Sequence, residues 1–160
     1  MIKFVENPIY NETNNISSAY MVRDMLANAY VLESDLLLYN PDVIRKYEYT
    51  TNYLGMPVDI TDDWCFETKK GYITKIRVGG EHVHHMFGIS YWNKEDAEKM
   101  EHDIEKVFKR PGGKELYWDE VALKECIKNY KVWVRPVRRG EVIEIDTYNE
   151  LKQIDSIYNV

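Results

Sequence analysis

Two apolar stretches of this chain end in paired acids: Tyr30-Val31-Leu32-Glu33-Ser34-Asp35 and Val142-Ile143-Glu144-Ile145-Asp146. Side chains of an extended strand alternate faces, so acids two residues apart point the same way. Glu33 is thereby aligned with Asp35, and Glu144 with Asp146. Brought side by side, the two tips form a carboxylate cluster suited to a hard divalent cation such as Mg²⁺, which is commonly held by one or two protein carboxylates together with water and substrate phosphates. The bland alternative is that acids often terminate strands as turn formers or helix caps, and Asp146 is placed to cap a helix beginning near Tyr148. No Gly-rich phosphate loop precedes this apparatus.

Aromatic residues are the second chemical resource, with 4 Trp and 13 Tyr in 160 residues. Aromatic faces attract quaternary ammonium groups through cation–π interaction. Trp64, preceded by Asp62 and Asp63, and the run Tyr117-Trp118-Asp119-Glu120 are candidate walls of such a pocket, with Tyr91 and Trp92 as lesser ones. Against this stands the usual role of large aromatics as core. His82 and His84 share a strand face, with His85 opposite, but no third ligand follows at a zinc-site spacing, so this reads as an exposed or pH-responsive strand. Arg135, Arg138 and Arg139 are available either to steer a phosphate or to solvate a turn.

Around these residues the sequence predicts alternating elements. Asn14-Asn15 opens a helix to about Ala27, and Tyr30 to Leu38 follows as one strand, the short link typical of α/β units with a parallel sheet. A short helical piece is expected near Val43–Tyr47. Strands fill Asn52 to Val78 as a meander, with Lys69-Lys70-Gly71 as a hairpin turn and a break at Gly79-Gly80 before His84–Trp92. Asn93 caps a long amphipathic helix, Lys94 to Lys109. A helix over Trp118–Lys128, a hairpin pairing Lys131–Pro136 with Glu141–Ile145, and a helix over Tyr148–Tyr158 complete the chain.

A composition 44% hydrophobic fits one compact domain over residues 1–160, and a net charge of -6 with scattered basic residues argues against nucleic acid as partner. Two cysteines, Cys65 and Cys126, without close spacing suit a reduced setting. No run approaches the length of a membrane span, so a cytoplasmic protein without membrane contact is expected.

The strings Asn7-Pro8…Asn14-Asn15…Ser18…Val22-Arg23-Asp24…Tyr30-Val31-Leu32-Glu33-Ser34-Asp35, then Gly88-Ile89-Ser90-Tyr91-Trp92, Leu116-Tyr117-Trp118-Asp119 and Val142 to Asp146 resemble, in order, those of the bacterial CTP:phosphocholine cytidylyltransferases. The resemblance implies a three-layer αβα nucleotidyltransferase-like fold of the nucleotide-diphospho-sugar transferase type, with a mixed sheet. It implies Mg²⁺ as cofactor on Asp35, Glu144 and Asp146. The substrates would be CTP and a phosphocholine-like acceptor, the latter against Trp64, Tyr117, Trp118 and Asp119. No catalytic side-chain nucleophile is needed, because the acceptor phosphate is already ionised. Such enzymes begin with a Gly-rich segment of the type GxGxRxxP…PK, ahead of the region matched here, so an N-terminally shortened fold is expected. A homodimer or a complementing N-terminal fragment would cover its open edge. The alternative function is a noncatalytic module that binds the acceptor or a partner chain.

Overall fold

The computed structural model describes residues 2–158. In chain order these form helix α1 (Ile16–Met21), strands β1 (Ala29–Leu32) and β2 (Leu36–Leu38), the long strands β3 (Asn52–Lys69) and β4 (Tyr72–Trp92), helix α2 (Lys94–Lys109), strands β5 (Trp133–Pro136) and β6 (Val142–Glu144), and helix α3 (Tyr148–Ile154). One sheet has the order β1-β4-β3-β5, and β2 pairs separately with β6. The β3–β5 pair is parallel and the others are antiparallel. The mixed α/β architecture and mixed sheet are as expected, but the sheet is mainly antiparallel rather than parallel.

The centrepiece is the β3–β4 ribbon. Lys70 and Gly71 turn it with φ of 53° and 82°, the left-handed pair that a two-residue hairpin requires. Gly71 also permits the Trp133 ring to pack on the turn, since a Cβ there would lie 2.3 Å from it. The expected break at Gly79-Gly80 is instead an irregularity within one strand, opposite a register shift between Thr61 and Trp64. The ribbon curls there. Cys65 and Phe66 consequently pair with Arg77 and Ile76 on one side and with His85 and His84 on the other. Tyr72 at the tip reaches Trp133 of β5. The pairings therefore run round in a ring.

Alternation along β3 divides the core. Tyr53 and Phe66 join Trp92, Trp118 and the apolar face of α2 (Ala97, Met100, Ile104, Val107), while Leu54 turns to Phe87, Ile89, Val137 and Val142 beneath the β2–β6 pair. Full burial of each such large side chain is worth about 1.5–3 kcal/mol. Helix α2 starts where expected, the Asn93 side chain accepting from the Asp96 N–H at 2.9 Å, and its C-cap Arg110 directly precedes Pro111.

Other expectations are corrected. The strand drawn over Tyr30–Leu38 is cut by a turn at Ser34-Asp35, which sends β1 to β4 and β2 to β6. The Lys131–Pro136/Glu141–Ile145 hairpin does not form. Backbone bonds from Trp133 to Thr51 and from Val137 to Gly55 bind β5 to β3, while Tyr39 and Asn40 N–H groups take the Glu141 carbonyl. Helix α1 is short, with a 3₁₀ turn at Arg23–Met25 beyond it. The helix expected near Val43–Tyr47 is a single turn at Pro41–Val43. A π-helical turn, Val121–Glu125, and a 3₁₀ turn, Ile127–Asn129, replace the helix expected over Trp118–Lys128. The last helix stops at Ile154, with a 3₁₀ turn at Ser156–Tyr158. Among the described residues no helix is long and apolar enough to cross a membrane.

Candidate functional site

The turn at Glu33–Asp35 is tied at both ends. The Glu33 N–H donates to the Gly88 carbonyl of β4, and the Asp35 carbonyl accepts from the Ile145 N–H just past β6, each at 2.9 Å. Because Leu36 pairs with Glu144, the second acidic tip is delivered beside the first. Glu33, Asp35 and Glu144 each offer a carboxylate oxygen within 4.8 Å of the others. Gly88 makes this possible: a Cβ there would fall 2.2 Å from Glu33 Oε2, so only glycine lets Glu33 fold over β4. A turn, rather than strand alternation, brings Glu33 and Asp35 together.

Asp146 is not the cap of α3. Thr147 takes that role in a capping box: its hydroxyl accepts from the Glu150 N–H at 3.2 Å, and the Glu150 carboxylate accepts from the N–H groups of Thr147 and Asp146. The Asp146 carboxylate is thereby left exposed, lining the same cavity as the other acids.

That cavity, of about 840 Å³, is lined by all seven residues that the resemblance assigns to the site: Asp35, Glu144 and Asp146, and Trp64, Tyr117, Trp118 and Asp119. The Trp64 and Tyr117 rings meet edge to face, 5.7 Å between centroids. Tyr117 is 42% exposed, whereas Trp118 is 5% exposed and packs its edge on Trp92, so its main work is core. Tyr91 and Trp92 are buried and stay out of the lining. The Asn14–Ser18 segment holds the aromatic run in place, Asn15 Oδ1 accepting from the Trp118 N–H at 2.9 Å. Asp119 is buried and accepts from the Tyr53 hydroxyl at 3.1 Å.

Among the described residues, six carboxylates (Glu33, Asp35, Asp63, Asp119, Glu144, Asp146) and no Lys or Arg line this cavity. Burial, then repulsion from Asp119, Asp35 and Asp146, raises the Glu33 pKa to about 7. Burial, followed by repulsion from Asp146, Asp63, Asp35 and Glu33, does the same for Glu144, also to about 7. Burial lifts Asp119 to about 6, with the Tyr53 hydrogen bond opposing it. Any cation entering such a site would have to displace protons from these carboxyls.

Arg135 does not steer a phosphate here. It is buried, ion-paired with Glu48, and hydrogen-bonded to the Tyr30 hydroxyl and the Val43 carbonyl. The metal set implied by the resemblance left out Glu33, although it lies in the acidic string and its carboxylate groups with those of Asp35 and Glu144. Sequence reasoning also set aside His85, whose imidazole lies with Asp63 and Glu144 in a second three-residue group. No spacing announces that group, because its members come from three strands brought together by the ribbon's curl.

No protein-family profile matches the chain. Over 161 residues it is 30% identical to the 2-aminoethylphosphonate cytidylyltransferase of Lancefieldella rimae, covering 98% of this chain and 65% of that protein. It is 27% identical over 157 residues to the choline-phosphate cytidylyltransferase of Streptococcus pneumoniae, covering 98% and 68%. The solved CTP:phosphocholine cytidylyltransferase of Streptococcus pneumoniae superposes with a TM-score of 0.86 at 26% identity, over 98% of this chain and 68% of that one. The inositol-1-phosphate CTP transferase of T. maritima, at 14% identity and a TM-score of 0.64, covering 97% of this chain and 63% of that one, shares the fold alone.

Proposed function

We propose that this chain, a homologue of the bacterial cytidylyltransferases that carries their fold, holds the acceptor and a divalent cation in the transfer of CMP from CTP to a small phosphorylated amine, phosphocholine or a close analogue. The observation that carries the reading is a cavity lined by both aromatic rings and a carboxylate cluster, with no Lys or Arg in its lining among the described residues. A cationic head group is attracted to the faces of Trp64 and Tyr117, with Asp119 as counter-charge. The phosphate end then faces Glu33, Asp35, Glu144 and Asp146, which like-charge repulsion forbids unless a cation intervenes.

The donors fit Mg²⁺: they are carboxylate oxygens, the ligands this hard ion prefers. Asp35 and Glu144 would hold it with Glu33, and Asp146 adds charge nearby. When bound, the ion neutralises phosphate charge and aligns the reacting groups. The protein's own residues orient rather than react. An acceptor phosphate oxygen, already ionised, forms the new bond to the α-phosphorus of CTP as the bond to pyrophosphate breaks, so no side-chain nucleophile or base is needed.

Calorimetric titration with phosphocholine and with CDP-choline, each with and without Mg²⁺, tests this. Saturable binding that Mg²⁺ strengthens is expected, and Trp64→Ala should weaken it roughly 2- to 30-fold, the equivalent of ~0.5–2 kcal/mol of cation–π attraction. Absence of binding in every combination refutes the reading. Binding without pyrophosphate release on addition of CTP would leave a noncatalytic acceptor-binding module.

A further inference from the structure

We propose that Asp63, His85 and Glu144 form a second cation site beside the Glu33–Asp35–Glu144 set, one that favours a borderline divalent transition ion such as Mn²⁺, Co²⁺ or Zn²⁺ and shares Glu144 with the first. Each of the three offers one ligand atom, and these lie within 4.8 Å of one another. Atoms that share an ion sit at most about two bond lengths apart, roughly 4–5 Å for bonds of about 2.0–2.6 Å. The residues come from the β3 register shift, from β4 and from the end of β6.

The space between them is not closed by direct contact. Among the described residues no hydrogen bond or ion pair joins His85 to either carboxylate, whereas His82 and Asp59 on the same ribbon do approach to 4.0 Å. The two outer ligands are held from behind. The Thr61 hydroxyl lies 3.3 Å from His85 Nδ1, the kind of second partner that fixes a metal-binding imidazole in one tautomer. Asp63 Oδ1 accepts from the Trp64 N–H at 2.6 Å, which orients the carboxylate.

Charge supplies an independent argument. Among the described residues six carboxylates and no Lys or Arg face the cavity, so ions there replace protons that the clustered acids otherwise retain, and a second ion has charge left to offset. Glu144 belongs to both sets, and a carboxylate between two groups of ligands is how ions about 3.5–4 Å apart are commonly bridged. An imidazole in the donor set moves preference from Mg²⁺ towards later transition ions. The inference needs ion binding only and does not depend on the acceptor reading.

Titration with Mn²⁺ alone, followed by electron paramagnetic resonance, tests it. Two ions per chain are expected, one of them with hyperfine coupling to nitrogen. His85→Asn should abolish that coupling and leave one ion, and Asp35→Asn should leave the nitrogen-coupled ion in place. Asp63→Asn, which keeps the imidazole, should weaken the nitrogen-coupled ion and so serves if His85→Asn does not fold. One ion per chain without nitrogen coupling, or binding unchanged in both His85→Asn and Asp63→Asn, overturns this proposal and leaves the first set untouched. No Mn²⁺ binding at all overturns both sites.

Discussion

Replacing Glu33 by Gln should stabilise the metal-free protein at alkaline pH while weakening its hold on a divalent cation. The Glu33 pKa is raised from 4.5 to about 7, and that of Glu144 likewise. The folded state therefore binds protons that the unfolded chain has already lost. Stability associated with these groups is fully present below about pH 4.5 and disappears as pH rises through about 7. At 1.36 kcal/mol per pKa unit, each shift corresponds to roughly 3 kcal/mol. Both groups are only partly buried and repel one another, so solvent screening and shared repulsion reduce the pair to about 2 kcal/mol. For a chain of this size that is a loss of roughly 4–8 °C in Tm. The substituted amide carries no charge at any pH, so much of the loss should vanish in the variant. Mg²⁺, binding the deprotonated carboxylates, should raise the wild-type Tm at about pH 8 and do less for Glu33→Gln. Near pH 7 two half-protonated groups should release about one proton per ion bound, measurable by calorimetry in buffers of different ionisation enthalpy. A Tm difference between wild type and Glu33→Gln that stays constant from about pH 5 to 8, together with no proton release, would refute the reasoning.

Two further substitutions probe the supports of the site. Gly88→Ala places a methyl 2.2 Å from Glu33 Oε2 and should drive that side chain out of the cluster. The relocated rotamer costs about 1 kcal/mol, whereas Mg²⁺ affinity should drop roughly 10- to 100-fold, and an unchanged titration would count against Glu33 as a ligand. Tyr53→Phe removes the hydroxyl donated to Asp119. A stability loss of about 1 kcal/mol is expected. The Asp119 pKa should also rise further, since that hydrogen bond now lowers it; a chemical-shift titration showing no rise would exclude the coupling.

Local signals were read correctly where one segment decides the outcome. Asn93 and the apolar spacing of Ala97, Met100, Ile104 and Val107 specify α2 without help, and Lys70-Gly71 specifies its turn. Partner choice is different. Trp133–Pro136 and Val142–Glu144 carry strand residues around a glycine turn, which suits a hairpin, yet the first pairs with β3 in the main sheet and the second with β2 in a separate one. The acidic tips were legible because each apolar stretch ends in two acids spaced two residues apart. Glu33 owes its position to Gly88, far along the chain on β4, and His85 owes its neighbours to the ribbon's curl. Neither dependence leaves a mark in local spacing.

The ribbon has a consequence for time as well as for shape. Strands β3 and β4 are joined by a two-residue turn and can zip together from it, because their partners are close along the chain. The cavity, in contrast, needs residues 33–35, 63–64, 117–119 and 144–146 to meet, and the loop-closure entropy of such distant encounters places them late. Ligands that recognise only the finished cavity would then leave the refolding rate almost unchanged and slow unfolding instead. Cation and acceptor together would act as a clasp on the native state, lengthening its lifetime without hastening its birth.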